Sequence, residues 1–403
     1  MRSVLAWSVS LSLLLGAAAP QALAAQAEPN PPLIPVLEQI TAAAGTPVPR
    51  FAVDPTWPRM PQTMLWGEVS GVAVDADDSV WLVHRPDSLT PTDSGSAQTP
   101  PIALCCEPAP AVAHFSADGE FLGGFGGPET APTIDGVNQW PISLHGIFVD
   151  ADRTLWFAGI GRGDHVVVNY SRDGQFIRQI GRRDQTNGNA DGATLGNPSD
   201  VYRDGDQVLV ADGYINRRFL GFNRVTGEAF GIWGAYGRAP AQQTRQGAFD
   251  TSQATSTGAS GPNPHAEEFG GIIHCVVPTG DGQVYVCDRQ NNRAQLFDIA
   301  EDGTLTFVRD LEIAGATGGL GTVTDVALSP DKKYLYVGDM MNGRVWILLR
   351  ATHETLGSIG RIGRQAGQFT WMHSLDTDSQ GNLYVTEVGT GRRVQKFVLT
   401  GVR

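Results

Sequence analysis

The sequence carries no basic stripe. Its formal net charge is −13 and its pI is about 5.0. A nucleic-acid groove needs clustered Lys and Arg, so nucleic acid is excluded as a partner. An anionic membrane surface would be repelled for the same reason. Long apolar runs are missing beyond the N-terminus, so no membrane span is expected. Cysteine is scarce, with only Cys105, Cys106, Cys275 and Cys287. None lies beside the N-terminal cleavage site, which leaves lipid anchoring there without support.

Glycine and proline are plentiful, at 49 and 25 residues, and suit many short strands and turns better than long helices. A chain of 403 residues is long enough to bury a large core. Residues 1–24 read as a signal peptide: Arg2 is a thin positive region, an apolar run follows, and Ala22-Leu23-Ala24 is a small-residue cleavage site. A membrane anchor is the competing reading, but the run is short. The mature protein is expected to be secreted or periplasmic.

Export permits disulfides, and four cysteines allow three connectivities. Cys275 and Cys287 flank the turn Thr279-Gly280-Asp281-Gly282, so neighbouring antiparallel strands could set them opposite one another. Cys105-Cys106 would then remain as a vicinal pair. Free thiols, or a metal held by thiolates, are the other readings.

The stretch Leu144-His145-Gly146-Ile147-Phe148-Val149-Asp150 recurs in variant form at the head of six segments. They begin near Gly67 and then span about 142–181, 196–234, 270–313, 321–360 and 369–399. Each has an apolar strand, an Asp/Gly turn, a second strand such as Gln207-Val208-Leu209-Val210-Ala211-Asp212, a third, and usually a fourth. Repeats of this length with four strands are propeller blades, so the expected fold is an all-β, six-bladed β-propeller over 67–403. One blade cannot bury both its faces alone, whereas six around an axis can. The last repeat lacks an obvious fourth strand. The arm 25–66 contains Phe51-Ala52-Val53-Asp54, which could complete that blade and latch the ring. Two insertions interrupt the rhythm: Pro86 to about Ala109, and Arg238 to Glu268, a lid or a mobile surface loop.

The second residue of the recurring stretch reads Ser70, His145, Ser199, His274, Thr324 and His373. Histidine occupies every second repeat. Ring closure would set three imidazoles about 120° apart at one height on the axis. Three such ligands with an open fourth position suit a catalytic zinc. The plainer alternative is a polar channel lining that holds water. His84, His114, His165, His265 and His353 fall off this column and read as structural or exposed.

A second column marks where each second strand leaves its sheet: Arg85, Gly159-Ile160, Gly213-Tyr214, Arg289, Asp339-Met340 and Glu387-Val388. Arg85 and Arg289 suit a carboxylate, because a guanidinium fork donates two parallel bonds. Tyr214, near a divalent cation and two guanidinium groups, is expected to ionise more readily and to serve as general base. Singly, each would be an ordinary ion pair or packed ring; together, beside three histidines, they suggest a site. Asn216-Arg217, Asn292-Arg293 and Asn342-Gly343-Arg344 recur too, which marks blade architecture.

The phrases Val210-Ala211-Asp212-Gly213-Tyr214-Ile215-Asn216-Arg217 and Val286-Cys287-Asp288-Arg289-Gln290-Asn291-Asn292-Arg293 resemble NHL repeats. With the histidine triplet, Leu82-Val83-His84-Arg85 and Asp212-Gly213-Tyr214, residues 65–400 resemble the peptidyl-α-hydroxyglycine α-amidating lyase family, a six-bladed NHL propeller. That resemblance implies zinc on His145, His274 and His373, Tyr214 as catalytic base, and Arg85 and Arg289 in the substrate pocket; Met340, from the second column, is a further substrate-binding candidate. It implies cleavage of the C–N bond of a peptide ending in α-hydroxyglycine, giving an amide and glyoxylate. It also implies a structural calcium, with Val72 and Ile147 offering backbone carbonyls. Ser374 stands where the family has an Asp ligand for that ion, and Ile215 where it has a cysteine. No monooxygenase domain accompanies the repeats, which leaves another small carbinol or hydroxy acid open as substrate. A lactone or ester hydrolase on the same site, and a non-catalytic binding propeller, are the alternatives.

Overall fold

In the computed structural model, residues 31–240, 263–300 and 302–403 are described. The signal-peptide reading, the first residues of the arm and most of the 238–268 insertion lie outside them. The protein is a six-bladed β-propeller of antiparallel four-stranded sheets. The first blade is built from Glu68–Val74, Val80–Arg85, Val112–Phe115 and Phe121–Phe125. The second uses Leu144–Val149, Leu155–Gly159, Val166–Tyr170 and Phe176–Gly181. The third uses Asp200–Asp204, Gln207–Asp212, Arg218–Asn223 and Ala229–Trp233. The fourth uses Ile273–Pro278, Gln283–Asp288, Arg293–Ile299 and Leu305–Glu312.

The fifth and sixth blades recruit the N-terminal arm. Val323–Leu328, Tyr334–Asp339, Arg344–Leu349 and Glu354–Ile359 form the fifth, and Glu38–Ile40 adds a strand at its edge. Met372–Thr377, Leu383–Glu387 and Arg393–Val402 form the sixth. Its fourth strand is Pro49–Asp54, antiparallel to Arg393–Val402 with Phe51 opposite Leu399, and Ile34–Pro35 pairs along its outer edge. Among the described residues, no helix is long and apolar enough to cross a membrane.

Apolar clusters lie between blades, where each sheet face meets its neighbour. Val83, Leu155, Phe157 and Val168 join the first two blades, and Leu209, Phe219, Val286 and Phe297 join the third and fourth. Val72, Leu82 and Trp57 pack with Tyr384 and Val394 across the closing junction. Polar bonds between inner strands complete the ring at each junction. Ser70 Oγ donates to the Leu144 carbonyl at 2.8 Å, Gly146 N–H to Ser199, Ser199 Oγ to Ile273, and Thr377 Oγ1 to Leu328.

The recurrent Asn and Arg residues anchor the blade ends. Asp212 accepts bonds from Asn216 and Arg218, Asp288 from Asn291 and Arg293, and Asp339 from Asn342. In the third blade the buried arginine is Arg218, not Arg217, because Arg218 opens the third strand and turns toward Asp212. Cys275 pairs with Cys287 across a hairpin, and Cys105 with Cys106.

Candidate metal centre and active site

The inner strands bulge where the histidine column lies. Strand register shifts between Val69 and Gly71, Leu144 and Ile147, Ile273 and Val276, Val323 and Val326, and Met372 and Leu375. A bulge adds an unpaired residue and re-aims side chains. At these sites it turns the column residue toward the axis. Gly146, next to His145, can be only glycine: a Cβ there would collide with the Asp200 carboxylate and the Ser199 carbonyl.

His145, His274 and His373 are buried and meet at the axis. Their ring centroids are 4.7, 4.4 and 4.6 Å apart, with planes inclined by 66°, 66° and 71°. One ligand nitrogen from each lies within 4.8 Å of the others. The other three members of the column orient them. Nδ1 of His145 donates to the Ser199 carbonyl, that of His274 to Thr324, and that of His373 to Ser70, each at 2.6 Å. Each bond fixes the tautomer and leaves Nε2 as the lone-pair nitrogen facing the axis. Burial holds all three imidazoles well below their ordinary pKa; neighbouring imidazoles lower His145 and His274 further, and Arg85 or Arg289 adds to the shift in all three. They are therefore neutral at pH 7, the form that ligates metal. His274 Nε2 is buried without a hydrogen-bond partner among the described residues. This orphaned lone pair, beside the Nε2 atoms of His145 and His373, fits a cation, and the donor set suits zinc.

Tyr214 reaches this triangle from the end of the third blade's second strand. Its hydroxyl donates to His145 Nε2 at 3.0 Å, and its ring lies 5.1 Å from the His145 ring. The neighbouring Gly213 passes so close to the Ile273 backbone that a Cβ would clash. Arg289 is buried and hydrogen-bonds Tyr214; burial lowers its pKa and the tyrosine opposes that shift. Arg85 donates through Nε to the Leu144 carbonyl at 2.8 Å and through Nη1 to Glu68 at 2.6 Å. Its Nη2 is buried with no partner among the described residues. The structure thus gathers Arg85, Tyr214 and Arg289 around the triangle. Met340 is buried at the corresponding strand end of the fifth blade, its N–H on the Thr322 carbonyl.

Below the triangle, a gap of about 10 Å³ is bounded by the three histidines, Asp200, Asp325 and Ser374. It leads to a chamber of about 480 Å³ on the opposite side, lined by Val72, Ile147, Asp200, Asp325 and Asp376 among others. Burial pushes Asp325 up to about 7 and Asp376 to about 6. Burial and the Asp325 charge push Asp200 well above the usual carboxylate range. Sequence reasoning overlooked these acids and the Glu68 partner of Arg85. A signal existed: the residue after each column member reads Gly71, Gly146, Asp200, Cys275, Asp325 and Ser374.

The remaining histidines are placed otherwise. His84 accepts the Gly67 N–H and faces the Ala109 and Pro110 carbonyls, which ties down the base of the 86–109 insertion. His114 stacks on Trp81, His165 accepts the Asn197 N–H, and His265 is exposed.

These features define a six-bladed β-propeller with a buried axial histidine triangle. No family model matches the chain. It is 25% identical over 366 residues to NHL repeat-containing protein 3 of Mus musculus, covering 87% of this chain and 84% of that protein. It is 25% identical over 382 residues to NHL repeat-containing protein 3 of Homo sapiens, covering 90% and 89%. With the six blades, these relatives support an NHL-repeat β-propeller. Among solved structures the chain is similar to a Xanthomonas campestris gluconolactonase, at 13% identity and TM-score 0.48, over 93% of this chain and 99% of that one. It is also similar to a streptogramin B lyase structure, at 11% identity and TM-score 0.45, over 83% and 94%. Likenesses this distant say nothing of what this chain does.

Proposed function

We propose that the protein is an exported, zinc-dependent lyase of the amidating type. It would cleave the C–N bond of an α-hydroxyglycine-type carbinolamide, giving an amide and glyoxylate. The observation that carries this reading is the convergence of three tautomer-fixed, neutral imidazoles with Tyr214 hydrogen-bonded to one of them. Bound zinc would supply Lewis acidity toward a substrate oxygen.

The chain's own residues would do the rest. The unpaired Nη2 of Arg85 is available to the substrate carboxylate, and binding there satisfies a buried donor. Arg289 hydrogen-bonds Tyr214 and positions its hydroxyl at the triangle. Tyr214, acting as its phenolate, takes the carbinol proton as the C–O bond becomes a carbonyl. The electrons of the C–N bond pass to the amide nitrogen, which receives that proton back from Tyr214. A structural calcium belongs, on this reading, in the chamber below. There the oxygen donors of Asp200 and Asp325 lie beside Val72 and Ile147.

The test is product analysis with zinc-loaded protein and α-hydroxyhippurate. Release of glyoxylate and benzamide in equal amounts supports the lyase. No glyoxylate from protein with its metal intact would rule it out.

A further inference from the structure

We propose a second ligand site, unrelated to the histidine triangle, that binds a small organic dianion between the fourth and fifth blades. A cavity of about 460 Å³ opens there, lined by the cationic side chains of Arg309, Lys332, Lys333 and Arg350. In a chain of net charge −13 with only three lysines, two of the three stand side by side at this one cavity. Three carboxylates lie nearby: Asp281 takes Arg350 through bonds of 2.7 and 2.7 Å, Asp331 Oδ1 accepts the Lys333 N–H at 3.1 Å, and Asp298 Oδ1 accepts from Gln283 Nε2 at 3.0 Å. Four cations against three carboxylates still leave a local positive excess in an otherwise acidic protein, carried by Arg309, Lys332 and Lys333 because Asp281 holds the Arg350 fork.

The cations are held in place. Arg309 Nη1 donates to the Thr352 carbonyl at 3.1 Å and to His353 Nδ1 at 3.0 Å. Since Nδ1 accepts, His353 carries its proton on Nε2 and donates to Tyr285 Oη at 2.8 Å. His353 stays neutral: burial lowers its pKa to about 4, with Arg309 and Arg350 adding to the effect. It acts as an uncharged bracket for Arg309, on a backbone with φ of 60°.

Leu296, Val308, Leu349 and Ala351 add apolar wall, and Gln283, whose Oε1 accepts from Arg350 at 3.2 Å, adds a polar one. A fork-shaped guanidinium suits phosphate or carboxylate, and the ammonium groups act as point charges. Apolar walls beside them call for a ligand with a hydrophobic body, in a cavity of ordinary ligand-site size. A phosphate monoester and an aromatic dicarboxylate share that chemistry. Inner strands start at the histidine end, so the turns carrying Lys332 and His353 lie at the far end of the propeller.

Calorimetric titration of the full-length protein with phenyl phosphate, benzene-1,2-dicarboxylate and inorganic phosphate tests this. One of the two aromatic dianions should bind saturably, at least about tenfold tighter than inorganic phosphate, and weaken as salt rises. Whichever binds identifies the source. The double substitution Lys332→Gln/Lys333→Gln, at a half-buried and an exposed position, should weaken that binding by about tenfold or more and leave zinc content unchanged. No saturable binding of either aromatic dianion up to about 10 mM, or equal binding by the double variant, would overturn the site.

Discussion

Replacing His274 with alanine separates metal binding from folding. The side chain makes one hydrogen bond, Nδ1–H to the Thr324 carbonyl at 2.6 Å, and its Nε2 has no partner among the described residues. Losing that bond costs about 1 kcal/mol, and removing a buried unpartnered nitrogen offsets it by about 1–3 kcal/mol. Metal-free His274→Ala should therefore melt within about 5 °C of the metal-free parent. Zinc binding should suffer far more. Four-ligand zinc sites contribute about 10–16 kcal/mol, so one ligand is worth roughly 3–4 kcal/mol, or a ~100–1000-fold loss of affinity. The assay is zinc competition against a chelating dye, with elemental analysis after dialysis and circular dichroism to confirm the fold. Zinc bound as tightly by a folded His274→Ala as by the parent would refute the axial site.

Other outcomes follow from the same geometry. Tyr214→Phe should keep one zinc per chain while turnover of α-hydroxyhippurate falls about 10²–10⁴-fold; near-parental turnover would remove Tyr214 as base. Burial raises Asp376 from 3.8 to about 6 in the folded protein. A raised acid stabilises the fold while protonated, so this contribution is complete below about pH 4 and is lost as pH rises through about 6. Metal-stripped protein should lose up to ~3 kcal/mol from this group over that range, and Asp376→Asn should flatten the decline. Identical slopes in urea titrations of parent and variant would contradict the assignment. Phe51 is buried against Tyr336, with ring centroids 5.7 Å apart, in the strand that latches the last blade. Phe51→Ala should cost about 3–5 kcal/mol by denaturant unfolding; a cost under about 1 kcal/mol would mean the latch contributes little.

The six blades were legible because each repeat carries the same strand and turn chemistry at nearly constant spacing. The histidine column was legible for the same reason: a period in sequence becomes a height on the axis once the ring closes. What orients the histidines was not legible. Ser70, Ser199 and Thr324 act through backbone carbonyls, and any residue presents one of those. The buried acids escaped notice for a related reason. In a regular strand the neighbour of an axis-facing residue points away. The bulges beside Thr324 and His373 set Asp325 and Ser374 toward the same gap as the histidines. A bulge leaves no mark in composition. Arg85 was read as open to substrate, yet two of its three nitrogens are engaged, by Leu144 and Glu68, because Glu68 lies opposite it on the paired strand.

Anomalous diffraction from crystals of the zinc-loaded protein, recorded on either side of the zinc edge, tests the metal centre most directly. One peak is expected inside the triangle of His145, His274 and His373, about 2.0–2.1 Å from each Nε2. No peak there, or a peak bound to other side chains while the three imidazoles keep their separation, would contradict it.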